Sequence, residues 1–206
     1  MPERVGTLAA RVGAALRGDP EVLVGDVTHD SREVRADDTL FVAIPGAHHD
    51  GHDFAANLPP GTPVCVERWL DHDGPQLLVP EARAALGPLA DAVHGAPSAS
   101  MEVVGVTGTN GKTSVTHLLG DILSATGRRA AVVGTTGVLV DGVRTPLAHT
   151  TPEASDLHRL LRSLADDGVT VVCLEVSSHA LALGRVDGVR FHSVAFTNLT
   201  HDHLDF

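Results

Sequence analysis

Cysteine is scarce in this sequence, with only two among 206 residues. Cys65 and Cys173 sit inside the apolar runs PVCV and VVCL, so both read as reduced core residues of a cytosolic protein. Neither belongs to a CxxC pair, which argues against a thiolate metal site. Basic residues are also few: 15 Lys and Arg face 26 Asp and Glu, for a net charge of −11 and a pI near 5.5. With no basic cluster anywhere, the chain is not expected to bind nucleic acid. No apolar run is long enough to span a membrane. The start, MPERVGTLAARVGAALRG, lacks the apolar core of a signal peptide. The expectation is a soluble, cytoplasmic protein with no membrane partner. Hydrophobic residues make up 43% of the chain, which excludes disorder, and its length suits one large domain or two small ones.

The stretch richest in chemistry is Gly105 to Ser114, GVTGTNGKTS. The apolar run 101–104 before it reads as a buried strand. Val115, Leu118, Leu119 and Ile122 after it are spaced as one helix face. Strand, glycine loop and helix are the setting of a phosphate-binding loop. Gly108 and Gly111 permit a tight turn, Lys112 adds positive charge, and Thr113 offers a hydroxyl to a metal at the helix N-terminus. The pattern departs from the usual one at Val106, where a glycine is expected.

In the first hundred residues, Val5, Leu8, Val12 and Leu16 predict an amphipathic helix. Short apolar runs follow at 22–24, 40–44, 64–66 and 77–79, punctuated by turn residues, as in a small α/β domain. Residues 81–93 read as a helix that Pro88 should kink or divide. Gly95 to Ser98 reads as a linker, giving domains 1–97 and 98–206. Thr28 to Arg32 reads as a polar turn. Gly46 to Asp53 holds three histidines and two aspartates, but its composition favours a solvated loop over a metal site.

In the second hundred, residues 130–133 predict a strand and 138–143 a hairpin turning at Asp141-Gly142. Thr151 and Pro152 suit the cap and first position of a helix whose buried face carries Leu157, Leu160, Leu161 and Leu164. Residues 169–174 are apolar throughout, as in a parallel sheet, and Glu175 follows at the strand's end. Two readings of Glu175 stay open: a Mg²⁺ ligand, direct or through water, or an exposed strand-end carboxylate. Residues 191–196 predict a further strand. After it, TNLTHDHLD carries two histidines and two aspartates suited to a metal or phosphate site.

Together these segments resemble the Mur ligases, ATP-dependent amide-forming enzymes of peptidoglycan synthesis. The resemblance runs through DSREVRADDTLFVAIPGAHHDGHDF (30–54), GVTGTNGKTS (105–114), HTTPEA (149–154), EVSSHALALGRVDGVRF (175–191) and FTNLTHDHLDF (196–206). The DSR, TTP and EVSSHAL segments point to the MurE type. The fold this implies is α/β: a small UDP-substrate domain, then an incomplete ATP-binding domain with a mainly parallel sheet. By the same resemblance, Ser31 and Arg32 with Ala47, His48 and His49 would meet the UDP-sugar. Residues 108–114 (Gly108, Thr109, Asn110, Gly111, Lys112, Thr113 and Ser114) would cradle the ATP phosphates. Thr150, Thr151, Ser177 and Arg185 would contact the muramoyl-dipeptide. His149 stands where Asn is common, which leaves its contact open. Glu175 and His203, with Thr113, would hold Mg²⁺.

The implied chemistry is attack of the substrate carboxylate on the γ-phosphate of ATP, giving an acyl phosphate. The amine of a diamino acid, meso-diaminopimelate or L-lysine, then displaces phosphate. Charge neutralisation by Lys112 and Mg²⁺ serves such a transfer better than a nucleophilic side chain would. The family continues beyond the equivalent of Phe206 with a carbamylated lysine, the rest of the central domain and an amino-acid-selecting domain. The expectation is therefore an inactive fragment of an enzyme that is monomeric at full length. Two other readings are a folylpolyglutamate- or cyanophycin-type ligase and a non-catalytic nucleotide-binding module.

Overall fold

Short apolar runs with no polar alternation need cover on both faces, and parallel sheets provide it. The computed structural model describes residues 2–35, 38–46 and 48–200. They form two compact units: Met1–Ala96 with Ala154–Arg159, and Pro97–Glu153 with Leu160–Phe206.

The first unit contains β1 (Glu3–Arg4), α1 (Val5–Val12), β2 (Ala15–Arg17), β3 (Leu23–Val24), β4 (Asp26–Thr28), β5 (Thr39–Val42), β6 (Val64–Val66), β7 (Gln76–Leu78) and α2 (Ala82–Val93). Its sheet runs β2-β7-β6-β5-β4, parallel except for β2, and β1 pairs with β3 apart from it. Successive residues of β5 serve opposite faces. Leu40 and Val42 join Cys65, Leu77 and the apolar sides of α1 and α2, whereas Phe41 joins Val64 and Val66 on the other side. Burial pushes the Cys65 thiol up to about 12, as befits a core residue.

Three expectations for this unit are corrected. The first helix ends at Val12 because Gly13 turns left-handed (φ 64°) and caps it, so Leu16 lies in β2 instead. Pro88 does not divide α2, which continues from Ala82 to Val93. The stretch Gly46–Asp53 is not simply a solvated loop: residues Gly51–Asn57 form a 3₁₀ helix, and His52 is only 3% exposed. His52 Nε2 accepts from the Glu67 N–H at 2.9 Å, so Nδ1 carries the proton and donates to Asp50 at 2.6 Å. Both ring nitrogens are thus satisfied in the core.

The second unit contains β8 (Glu102–Thr107), α3 (Lys112–Ala125), β9 (Ala130–Gly134), β10 (Gly137–Val140), β11 (Val143–Thr145), α4 (Ala154–Asp166), β12 (Val171–Glu175), α5 (Ser178–Ala182) and β13 (Ser193–Phe196). The first six residues of α4 group with the first unit. The sheet order is β11-β10-β9-β12-β8-β13. Strands β9, β12, β8 and β13 are parallel, so Gly134, Glu175, Thr107 and Phe196 end at one edge. The expected hairpin is present, with Asp141 and Gly142 both at positive φ.

The helix after the glycine loop forms, but its buried face is not the one the apolar spacing selects. Thr116 and Gly120 are buried, whereas Leu118 and Ile122 are 61% and 59% exposed. A Cβ on Gly120 would lie 2.5 Å from Val132 Cγ2, so the absent side chain lets α3 settle on β9. The Thr116 hydroxyl donates back to carbonyls of its own helix at 3.0–3.1 Å, which makes its burial tolerable. Leu118 and Ile122 lie two positions further on, about 200° around the helix. The next helix also starts later than expected: Glu153 is the cap and Ala154 opens α4. Thr151 is drawn instead to the end of β12, where its hydroxyl donates to the Glu175 carbonyl at 2.9 Å.

Candidate functional site

The parallel strands of the second unit bring four loops to one edge, where open α/β sheets take their ligands. The loop after β8 is shaped by Gly108, at φ 126°. A Cβ there would fall 2.2 Å from Thr197 Oγ1 and 2.8 Å from the Asn198 carbonyl, so only glycine fits. Asn198 fixes the loop from behind. Its carbonyl accepts the Thr109 N–H at 2.9 Å, and its side-chain amide exchanges two hydrogen bonds with the Asn110 backbone at 3.0 and 3.1 Å. Two of the expected phosphate donors are thus engaged, leaving the first turn of α3, which Gly111 caps and which includes Lys112, Thr113 and Ser114, as the free end of the loop. Lys112, the only lysine in the chain, bends over it to donate to the carbonyls of Gly108 (2.6 Å) and Thr109 (3.0 Å). A cleft of about 220 Å³ opens beside it, lined by Lys112, Ser177, Ser178 and Thr200 among others. Leu181, Phe196 and Leu199 add apolar surface to its lining, and the Lys112 ammonium beside the helix N-terminus is the feature that suits an anionic ligand.

Glu175 is the last residue of β12, and it is fully buried (0% exposed), which removes the exposed strand-end reading. Three neutral donors hold its carboxylate: the Thr113 hydroxyl at 3.0 Å, the Thr135 N–H at 3.1 Å and the Thr135 hydroxyl at 3.2 Å. None of these donors carries a charge, so a bound cation would be the first charged partner of this carboxylate among the described residues. The Thr113 hydroxyl spends its proton on Glu175 and retains lone pairs for such a cation. One carboxylate and one hydroxyl make a hard-oxygen pair that fits Mg²⁺, an ion that keeps several waters and binds through few protein oxygens plus phosphates. Among the described residues no group of three His, Cys, Asp or Glu side chains forms a fuller cage. His203 lies outside the described residues.

Of the other expected contacts of this unit, Thr150 meets a hydroxyl that holds this carboxylate, whereas Thr151 bonds the Glu175 backbone and is itself met by Ser177 and Arg185. The Thr135 and Thr150 hydroxyls lie 3.2 Å apart. Because the Thr135 proton goes to Glu175, Thr150 is the donor between them. Thr151 is buried, with its hydroxyl donating to the Glu175 carbonyl and accepting the Ser177 N–H at 3.2 Å. Ser177 caps α5 by accepting the Ala180 N–H at 3.1 Å. Arg185 pairs with Glu153 at 2.6 Å and donates to the Thr151 carbonyl at 3.2 Å, while its buried Nε has no hydrogen-bond partner among the described residues. His149 is exposed.

In the first unit a separate cavity of about 480 Å³ is lined by His29, Asp30, Ser31, Arg32, His49 and Phe54. Asp30 accepts the Arg32 N–H at 2.9 Å and holds the Arg32 guanidinium through two carboxylate oxygens at 2.5–3.1 Å. That side-chain pairing with Arg32 lowers the Asp30 carboxyl to about 2. His49 meets Phe54 edge to face, with ring centroids 6.4 Å apart. His48 is exposed, and Ala47 lies outside the described residues.

Sequence reasoning passed over Thr135, Asn198 and Phe54. Thr135 stands in a GTTG turn at the end of a predicted strand, and its position at the carboxyl edge was the available signal. Phe54 closes the DGHDF segment and lines the cavity with His29 and Arg32, and nothing in the local sequence marks it for that place.

Residues 106–206 match the family described as Mur ligase middle domain. A UDP-N-acetylmuramoyl-L-alanyl-D-glutamate--2,6-diaminopimelate ligase from Bacillus velezensis is 40% identical over 190 residues, which is 91% of this chain and 38% of that protein. Its namesake from Corynebacterium efficiens is 38% identical across 98% of this chain and 40% of its own length. A solved structure of a ligase with this name superposes with a TM-score of 0.83 at 28% identity, covering 99% of this chain and 42% of that one. MurF from Acinetobacter baumannii, at 23% identity and a TM-score of 0.67, shares the fold. The chain spans about two fifths of the length of the curated relatives it matches. Its motifs, its mainly parallel sheet and these similarities agree: the chain belongs to the Mur ligase family.

Proposed function

We propose that this chain is the UDP-substrate and phosphate-loop portion of a MurE-type ligase. Such an enzyme uses ATP to join a diamino acid to UDP-N-acetylmuramoyl-L-alanyl-D-glutamate. Residues 1–97 would bind the UDP-sugar and 98–206 would form the incomplete ATP-binding domain. The observation that carries the reading is the 3.0 Å bond from Thr113, on the loop helix, to the buried Glu175 carboxylate. The relatives' names specify 2,6-diaminopimelate, which favours it over L-lysine as the incoming amine.

In this reading Lys112 leaves its two loop carbonyls for the ATP phosphates, and the α3 N–H groups orient them. Mg²⁺, held by Thr113 and by Glu175 directly or through water, with His203 as a further ligand, would neutralise charge on the phosphates. Thr150, Thr151, Ser177 and Arg185 would line the place of the dipeptide, with His149 beside them. Ser31, Arg32, Ala47, His48 and His49 would hold the UDP-sugar. The substrate carboxylate attacks the γ-phosphorus and ADP departs. The amine then attacks the acyl carbon, releasing phosphate and one proton as the amide forms. A cytoplasmic site of action follows from such a substrate.

Because Lys112 is the only lysine, amine-directed acylation offers a direct test. ATP should protect Lys112 in peptide maps, whereas the UDP-muramoyl-dipeptide alone should not. Lys112→Ala should weaken ATP binding roughly 10- to 100-fold, the value of a lost bond to a charged group, with UDP-substrate binding unchanged. Loss of both affinities together, in a folded variant, would overturn the reading.

A further inference from the structure

Thr135 carries no role in the reading above, yet among the described residues it makes two of the three hydrogen bonds to the Glu175 carboxylate. Its N–H takes Oε1 and its hydroxyl takes Oε2, so the two oxygens cannot rotate about the carboxylate axis without breaking one bond. The preceding residue is shaped to the same end. A Cβ on Gly134 would lie 2.1 Å from Glu175 Oε1 and 2.4 Å from Cδ, so the end of β9 leaves out a side chain where the carboxylate sits. Thr135 itself is exposed, so its side chain contributes little to the core. The hydroxyl of this exposed residue gives its proton to a buried carboxylate, which is a task other than packing.

We propose that Thr135 is the positioning residue of Glu175, fixing both carboxylate oxygens so that the Thr113 hydroxyl and the carboxylate present a single preset face to a divalent cation. This rests on the proposed Mg²⁺ reading of Thr113 and Glu175. Groups that orient a metal ligand from behind commonly alter metal affinity 10- to 100-fold when removed. Thr135→Val keeps the N–H bond and the side-chain shape and deletes only the hydroxyl, so the lower end of that range is expected.

The test is calorimetric binding of AMP-PNP to the chain, with and without Mg²⁺. The parent should bind more tightly with Mg²⁺. Thr135→Val should lose about tenfold of that Mg²⁺-dependent gain and keep its Mg²⁺-free affinity within about twofold. Thr135→Ser, which restores the hydroxyl without the methyl, should recover the gain. Thr135→Ala should lose as much as Thr135→Val, which guards against a misfolded valine variant. Full retention of the gain in Thr135→Val and Thr135→Ala would overturn the proposal. So would a serine variant as impaired as the valine one, because the methyl rather than the hydroxyl would then matter. A parent with no Mg²⁺-dependent gain would instead defeat the reading of Thr113 and Glu175 on which this one stands.

Discussion

The two units prepare their candidate sites in opposite ways. In the second, the chemistry is set by backbone and buried charge: a glycine that tolerates no Cβ, a lysine folded over its own loop and a carboxylate sealed among threonines. In the first, it is set by exposed side chains: Arg32 gripped by Asp30, and a histidine edge-on to a phenylalanine. The difference teaches where each site should be fragile. The loop site depends on shape and should fail completely when one atom is added. The side-chain site depends on contacts screened by water and should fade gradually.

The largest effect is therefore expected at Gly108. Gly108→Ala places a methyl against the Asn198 carbonyl, which is backbone and cannot swing aside, at a φ of 126° that L-residues resist. Strain of this kind costs on the order of 1–3 kcal/mol before the clash is added. Nucleotide binding should drop by at least roughly 100-fold, with UDP-substrate binding retained. Calorimetry with each ligand checks it. A variant that binds ATP normally would show that the loop is more plastic than its contacts indicate.

The same contrast explains what could be read in advance. Glycine, lysine and threonine at fixed spacing report a loop because each fills a role that few other residues can, so GTNGKT was legible. The apolar runs of β5, β6, β9 and β12 were legible because parallel strands need cover on both faces. The face of α3 was not legible. Apolar spacing selects Leu118 and Ile122, but close approach to β9 is governed by the smallness of Thr116 and Gly120, which hydrophobicity does not register. The second threonine of HTTPEA has the sequence context of a helix cap, but its partner is the Glu175 carbonyl, 24 residues away, which local sequence does not reveal. His52 was hidden for the same reason: Glu67, which completes its bonding, lies 15 residues on.

His52 gives the next effect in size. Asp50→Ala removes the acceptor for the His52 Nδ1 proton and leaves it unpaired in the core. An orphaned buried donor costs about 1–3 kcal/mol. Chemical denaturation should show a loss of this order in the transition of the first unit. Nucleotide affinity should be unchanged, since His52 and the phosphate loop belong to different units. A loss below a few tenths of a kcal/mol would mean that water replaces the carboxylate.

The smallest effect should come from the exposed pair. Arg32 pairing lowers the Asp30 carboxyl to about 2, against about 3.9 for an ordinary aspartate. A carboxyl lowered on folding adds stability that is fully present above the unfolded value and disappears as pH falls through the folded one. The window is thus about pH 4 down to about pH 2. The guanidinium is mostly in water, so screening reduces the contribution to about 0.2–1 kcal/mol at neutral pH. Asp30→Asn keeps an oxygen for the Arg32 N–H and removes only the charge. Its stability deficit against the parent should be small at pH 7, shrink below pH 4 and vanish near pH 2. A deficit that stays constant across that range would assign the cost to the turn rather than to the ion pair. One above about 2 kcal/mol at pH 7 would mean that the pair is shielded from solvent far better than its exposure implies.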